Sequence, residues 1–337
     1  MANDVLDEVD QRLIAALQCD GRLGAEAAAR VLGISPRTVR RRWVALFGAG
    51  TVQVVPVPVR PAGTGLSLLR IRVLRGRLEQ VAAALAARPD IPFIDVSAGG
   101  DEIGAIAVTH PGARDRLVFE QLPATTAVTS VSVQQVLHVF REAADWRHQV
   151  LTGEETAALS PSEAPAPGAP ADAPDDTDRL LLAAFREDPR ASAAALAART
   201  EVPESTVRRR MAALAAGGRL RTQVVVDPRR LGLGVDANLW LQLPPDRLDP
   251  VGRTLAVHPA VHGALATTGT ANLHLAVWLP GLDDLYRFTT RDLAGLGIQT
   301  VDTVLVGAAV KRPGRPAPPA AGGGLRARAA GAARRSG

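Results

Sequence analysis

The chain has 337 residues, 47% of them hydrophobic, which is enough apolar material for two or more folded domains of ordinary size. Aromatic residues make up 3%, too few for a stacking platform on single-stranded nucleic acid, and one cysteine, Cys19, excludes an internal disulfide and a multi-cysteine zinc site. The net charge of +5 is a local matter: the seven cations between Lys311 and Gly337, a stretch without an acid, exceed it and leave the remainder slightly acidic.

A single thiol fits a reducing cytoplasm. Cys19 reads as a small apolar filler at a helix end. No apolar run approaches the roughly 18 residues of a membrane span, and the opening "MANDVLDEVDQR" lacks a signal-peptide pattern. A cytoplasmic, nucleoid-associated protein without a membrane partner is expected.

The first element is helical, with Val9, Leu13 and Leu17 at i, i+4, i+8. A short alanine-rich helix from Glu26 to Leu32 follows, then the turn "GIS" and a third helix. Ser35 is a good N-cap for that helix, and Pro36 suits its first position because Pro has no N–H to leave orphaned. Val39, Trp43 and Leu46 must face the core, which turns Arg37, Thr38, Arg40 and Arg41 outward and sends Arg42 toward a flank. "TVQVVPVPV" then reads as a strand that its prolines confine to an edge. Beyond it the pattern alternates through "LSLLRIRV", a helix at 78–87, "IPFIDVSA", "IGAIAVTH", a helix near 114–121 and "VSVQQVLHVF". That order, βαββαβ, is ferredoxin-like.

The same series then recurs. At an offset of 168, Asp10 falls on Asp178, Leu13 on Leu181, Arg22 on Arg190 and Gly50 on Gly218, and "TVRRR" is written twice. Self-similarity at a fixed offset implies a duplicated unit rather than a repeated pentapeptide. In the second βαββαβ stretch the offset is 170, with Pro89 on Pro259 and Gly99 on Gly269, so two residues are inserted at the connection between head and sheet. Its helices are expected at 248–257 and 282–293.

The fold class is therefore α+β, in two tandem units, each an N-terminal helix-turn-helix domain followed by a ferredoxin-like domain. The expected boundaries are 1–50 and 51–150, a Pro/Ala-rich linker at 151–176, then 177–218 and 219–311, and a disordered basic tail at 312–337.

A third helix with outward arginines is a reading head for the major groove, where guanidinium groups fork onto guanine or clamp phosphates. Candidate DNA-binding residues are Ser35, Arg37, Thr38, Arg40 and Arg41 in the first head, and Ser205, Thr206, Arg208 and Arg209 in the second. The heads differ: Gly33 becomes Glu201, Ser35 becomes Pro203 and Arg37 becomes Ser205, so the first is expected to dominate base discrimination.

The pattern "LGISPRTVRRRWVALFGAGTV", followed by an edge strand and a βαββαβ domain with a glycine between its second and third strands, resembles the Lrp/AsnC family of transcription regulators. The resemblance covers both units, so the chain looks like a tandem member. It implies double-stranded DNA as partner and a C-terminal domain that oligomerises and senses a small molecule, often an amino acid. Here it implies a homo-oligomer or an intramolecular pseudo-dimer. It also places effector loops at Gly99, Gly100, Asp101 and Glu102, and at Gly269, Thr270, Ala271 and Asn272. Asp101 or Glu102 would hold an ammonium group, and the amides near Gly269 a carboxylate. The same loops read equally as two β-turns whose glycines supply positive φ.

No enzyme motif, cofactor or metal is expected. "LGLG" at 231–234 lacks a surrounding βα unit, and Pro259 breaks the helix that would align His258 with His262 as ligands. The alternative is a sirohaem decarboxylase-like enzyme of the same architecture, against which the intact outward arginines of both heads weigh. A partner that only docks onto other family members is a third class.

Overall fold

The computed structural model describes residues 5–57, 63–109, 117–122, 124–160 and 174–312. Residues 161–173 of the expected linker, and the tail beyond Arg312, lie outside the described residues. The described residues divide into a larger compact unit of 5–57 and 136–305, and a smaller one of 63–135 and 306–312.

The larger unit begins with α1 (Glu8–Cys19), α2 (Ala25–Leu32) and α3 (Pro36–Gly48), which lead into strand β1 (Val52–Pro56). Asp7 opens α1 by accepting the Asp10 N–H at 2.8 Å. Gly33, at φ 69°, closes α2 in the left-handed conformation that glycine adopts without a steric penalty.

The smaller unit contains β2 (Gly65–Val73), α4 (Leu78–Ala86), β3 (Phe93–Ser97), β4 (Glu102–Thr109) and the first half of β5 (Val128–Arg141). Its strands run β5–β2–β4–β3, all antiparallel. Leu69, Ile71, Val81, Leu85, Ile94 and Ile103 form its core between sheet and helix. Where a helix was expected near 114–121, residues 111–116 lie outside the described residues and Leu117–Gln121 is a single π turn.

The chain then re-enters the larger unit. α5 (Gly153–Leu159) falls inside the stretch expected to be linker. Thr152 and Glu155 form a reciprocal capping box, and Leu159 is buried against the first head. The second head follows as α6 (Asp176–Glu187), α7 (Ala193–Thr200), α8 (Glu204–Ala216) and β6 (Thr222–Val226). The two inserted residues fall between α8 and β6: three residues join α3 to β1, and five join α8 to β6. β1 pairs with β6 in a two-stranded antiparallel ribbon, so Pro56 does sit at an edge, while Pro58 lies outside the described residues.

The second βαββαβ series is β7 (Val235–Gln242), α9 (Pro245–Ala256), β8 (Val261–Thr267), β9 (Leu273–Leu279), α10 (Leu282–Arg287) and β10 (Thr300–Lys311). Residues 300–305 of β10 begin the sheet, which runs β10–β7–β9–β8 and ends on residues 136–141 of β5. In the smaller unit, residues 306–311 of β10 pair with β3.

The helix expected at 282–293 is shorter. α10 stops at Arg287 and a π turn, Phe288–Asp292, replaces its second half. In an α-helix residues five apart face different ways. The wide turn, closed by Leu293 N–H to Phe288 O at 3.1 Å, brings both Phe288 and Leu293 into the core.

Candidate nucleic-acid interface and sensor loops

In the first head, Ser35 accepts the Thr38 N–H at 3.1 Å and lies 2.9 Å from the Thr38 hydroxyl. Both residues were expected at the groove, but Ser35 is committed to starting α3. Val39, Trp43 and Leu46 are buried, which leaves Arg37, Arg40 and Arg41 exposed. Arg40 pairs with Glu26 of α2, both well exposed, so the bond contributes little and yields readily to a phosphate. Arg42, expected toward a flank, turns back to Asp7 and Asp10 of α1 and holds the carboxyl of Asp7 below its ordinary range. Among the described residues, Arg37 and Arg41 alone of the four arginines of this helix have no ion-pair partner. They stand at i, i+4, on one face.

The second head repeats this with defects. Arg210 turns back to Asp175 at 2.8 Å and Asp178 at 3.4 Å, as Arg42 does to the equivalent aspartates. Glu201 takes the place of Gly33 at φ 56°, the one positive-φ non-glycine among the described residues. Pro203 occupies the cap position of α8 and provides no side-chain bond. Ser205 is inside the helix, not at a cap, and replaces Arg37. Arg208 pairs with Glu204. Arg209 is exposed and has no ion-pair partner among the described residues, and Thr206 lies beside it, half-buried.

The sensor loops split the expectations. Gly100, at φ 75°, makes the turn after β3, and exposed Asp101 accepts the Ser97 hydroxyl at 3.2 Å. A Cβ added at Gly99 would stand 3.1 Å from that Asp101 carboxylate. Glu102 is buried, and its two oxygens accept from Arg70 at 2.9 and 3.0 Å, with Arg72 at 3.5 Å. The carboxylate expected to hold an ammonium is thus already engaged by two guanidinium groups. In the other loop Gly269 sits at φ 99°, with Thr270 exposed. Asn272 is likewise committed to structure, since its amide oxygen accepts the Leu243 N–H at 3.0 Å and its amide nitrogen donates to the Leu243 carbonyl at 2.9 Å.

The aspartates that tether Arg42 and Arg210 were missed by sequence reasoning, although all three positions recur at the 168 offset. Among the described residues no group of three or more His, Cys, Asp or Glu side chains is arranged for a metal. No described helix is long and apolar enough to cross a membrane.

Two helix-turn-helix heads, each carrying exposed arginines on its third helix, define a DNA-binding protein. The AsnC-type helix-turn-helix domain matches residues 6–46 and 175–215, and the Lrp/AsnC ligand binding domain matches 237–316. An uncharacterised HTH-type transcriptional regulator of Pyrococcus horikoshii is 30% identical over 134 residues, which is 39% of this chain and 85% of that protein. The HTH-type transcriptional regulator AldR of Mycolicibacterium smegmatis is 28% identical over 149 residues, 41% of this chain and 85% of AldR. The chain belongs to the Lrp/AsnC family of transcription regulators, with the helix-turn-helix domain present twice. Among solved structures, the siroheme decarboxylase NirDL has the same fold at a TM-score of 0.55 and 16% identity, over 92% of this chain and 94% of that one.

Proposed function

We propose that the protein regulates transcription by binding a specific double-stranded DNA sequence, with base discrimination coming chiefly from the first head. The observation that carries this is the pair Arg37 and Arg41. They are exposed and unpaired among the described residues, on a helix whose other arginines are held by carboxylates. A guanidinium without a competing carboxylate is the group best suited to fork onto guanine O6 and N7. Arg40, Arg208 and Thr206 supply phosphate contacts that fix orientation, and Arg209, without its Arg37 counterpart, adds a weaker reading of the second half-site. Selection of bound duplexes from a random pool tests the reading, because a regulator enriches one sequence and a merely basic surface enriches none.

The βαββαβ domains are proposed to bind an amino acid or a related small molecule, which shifts assembly or DNA affinity by preferring one of two states. With Glu102 and Asn272 committed, the groups left at the loops are Asp101, the backbone around Gly99 and Gly100, and the backbone around Gly269 and Thr270. A thermal-shift panel of amino acids and their derivatives with no response would reject this part. A second reading, a sirohaem decarboxylase, is favoured by a likeness in fold that extends over both units. Titration with sirohaem and no change in its Soret band would dismiss it.

A further inference from the structure

In the larger unit the two heads hold each other by a reciprocal clasp. Arg22, in the loop after α1, donates to the carbonyls of Pro189 and Ala191, each at 2.8 Å. Arg190, in the loop after α6, donates to the carbonyls of Gly21 and Leu23, the latter at 3.1 Å. Every one of these residues maps onto its counterpart at the 168 offset, so the contact is isologous within one chain. Both guanidinium groups are half out of water, and burial pulls their pKa values down. Arg190 also lies 5.3 Å from the ring centres of Trp43 and Phe47 on α3, and Arg22 lies 5.8 Å from that of Phe185 on α6.

The β1–β6 ribbon completes the clasp. Val224 of β6 is buried in the core of the first head together with Leu13, Leu17 and Trp43, so that head's core is unfinished without a strand from the second. Gly21 lets the loop approach this ribbon, since a Cβ there would overlap the Thr222 side chain and come within 2.9 Å of Val54. Two domains joined by a shared core and four guanidinium–carbonyl contacts do not reorient independently. The separation and relative orientation of α3 and α8 are fixed by the chain itself.

Resting on the DNA-binding reading, we propose that one copy of this chain is a complete two-headed DNA reader for a non-palindromic operator. Its two half-sites differ in sequence and have one permitted spacing. A symmetric dimer presents identical helices and reads a palindrome. Here the local twofold relation is kept while the reading helices diverge, with Arg37 against Ser205 on the surface and the Ser35 cap against Pro203. The partner is therefore a directional duplex, and reversing one half-site is not equivalent to leaving it in place.

The test uses the full chain and the duplex that it enriches from a random pool. Native mass spectrometry should give one chain per duplex, and the consensus should lack dyad symmetry. Inserting five base pairs between the half-sites turns the second by about half a helical turn and should weaken binding by about tenfold or more. The double variant Arg22→Lys/Arg190→Lys loses the forks onto two carbonyls but keeps the ribbon, and should lose less affinity on insertion than the wild type does. The wild-type insertion series stands by itself if that variant fails to fold. A palindromic consensus bound by two chains, or wild-type indifference to the insertion, overturns the inference alone. A chain that enriches no duplex overturns the DNA-binding reading and this inference with it.

Discussion

At the scale of single residues, the heads differ in ways that make separate predictions. Arg37 and Arg41 are the unpaired cations of α3, whereas Arg209 stands on a helix that has lost the counterpart of Arg37 and its serine cap. Arg37→Ala or Arg41→Ala should therefore relax base preference at one operator position by about 1–3 kcal/mol. Arg209→Ala should cost less discrimination, confined to the second half-site, and mainly weaken binding overall. Binding of each variant to a panel of single-base operator changes distinguishes the two, and equal loss of discrimination from both heads would refute the asymmetry. Glu201 gives a second, independent case. A non-glycine residue in the left-handed region costs roughly 1–2 kcal/mol, partly offset by the extra chain entropy that glycine loses on folding. Glu201→Gly should thus raise stability by about 0.5–1 kcal/mol, seen as a higher urea midpoint with unchanged slope. An unchanged or lower midpoint would mean that Glu201 makes compensating contacts.

Elements show where the sequence is legible and where it falls silent. The heads and the strand order could be read because apolar period and turn chemistry agree at each step, and because everything is written twice. The two π turns could not, since one pair of apolar residues five apart is too slight a signal within an otherwise helical stretch. α5 carried a readable signal in the T-x-x-E box at Thr152 and Glu155, masked by the Pro/Ala composition that follows. The clasp was visible only as the coincidence of Arg22 with Arg190, because its acceptors are backbone carbonyls and leave no mark on side-chain identity. Glu102 shows the converse: a carboxylate beside a glycine turn looks available until its arginine partner is located one strand away.

Packing of elements sets the sign of two further outcomes. Gly252 lies in α9, where replacing glycine by alanine ordinarily gains about 1 kcal/mol of helix propensity. Here an added Cβ would overlap the ring of Phe140 on β5, and overpacking costs typically 1–3 kcal/mol. Gly252→Ala should lower the urea midpoint, and pairing it with Phe140→Leu should recover part of the loss. His148, between Trp146 and α1, lies 2.9 Å from the Gln11 amide oxygen through Nε2. Burial pushes its imidazole below the ordinary value of 6.5. The unfolded chain then binds the proton more tightly, so stability is full above about pH 6.5 and falls as pH drops toward the folded-state value. His148→Gln should flatten this dependence between about pH 7 and pH 5 relative to the wild type. His258, also pushed down by burial, leaves a residual slope in both proteins. Equal slopes in the two would reject the assignment to His148.

At the scale of the whole molecule, charge is unevenly assigned. Arg312 is taken by the smaller unit, where it pairs with Asp95 at 2.6 Å and lies 4.0 Å from the ring centre of Phe93. The five arginines beyond it, Arg315, Arg326, Arg328, Arg334 and Arg335, stand in a stretch of Pro, Ala and Gly with no acid. Such a segment attracts phosphates by charge but has neither the side-chain variety nor the regular pattern that base readout requires. Each phosphate neutralised contributes about 0.9 to the slope of log affinity against log salt. If the heads and tail together neutralise about six to ten, affinity should fall by roughly 10³–10⁵ between about 50 and 200 mM salt. Removing residues 313–337 should spare Arg312, lower the affinity for specific and random duplexes by the same factor, and make the salt slope shallower. The measurement is a salt titration of both proteins on the selected operator and on a scrambled duplex. A truncated chain that changed its preferred sequence would show instead that the tail enters a groove, and an unchanged slope would show that it meets no phosphate at all.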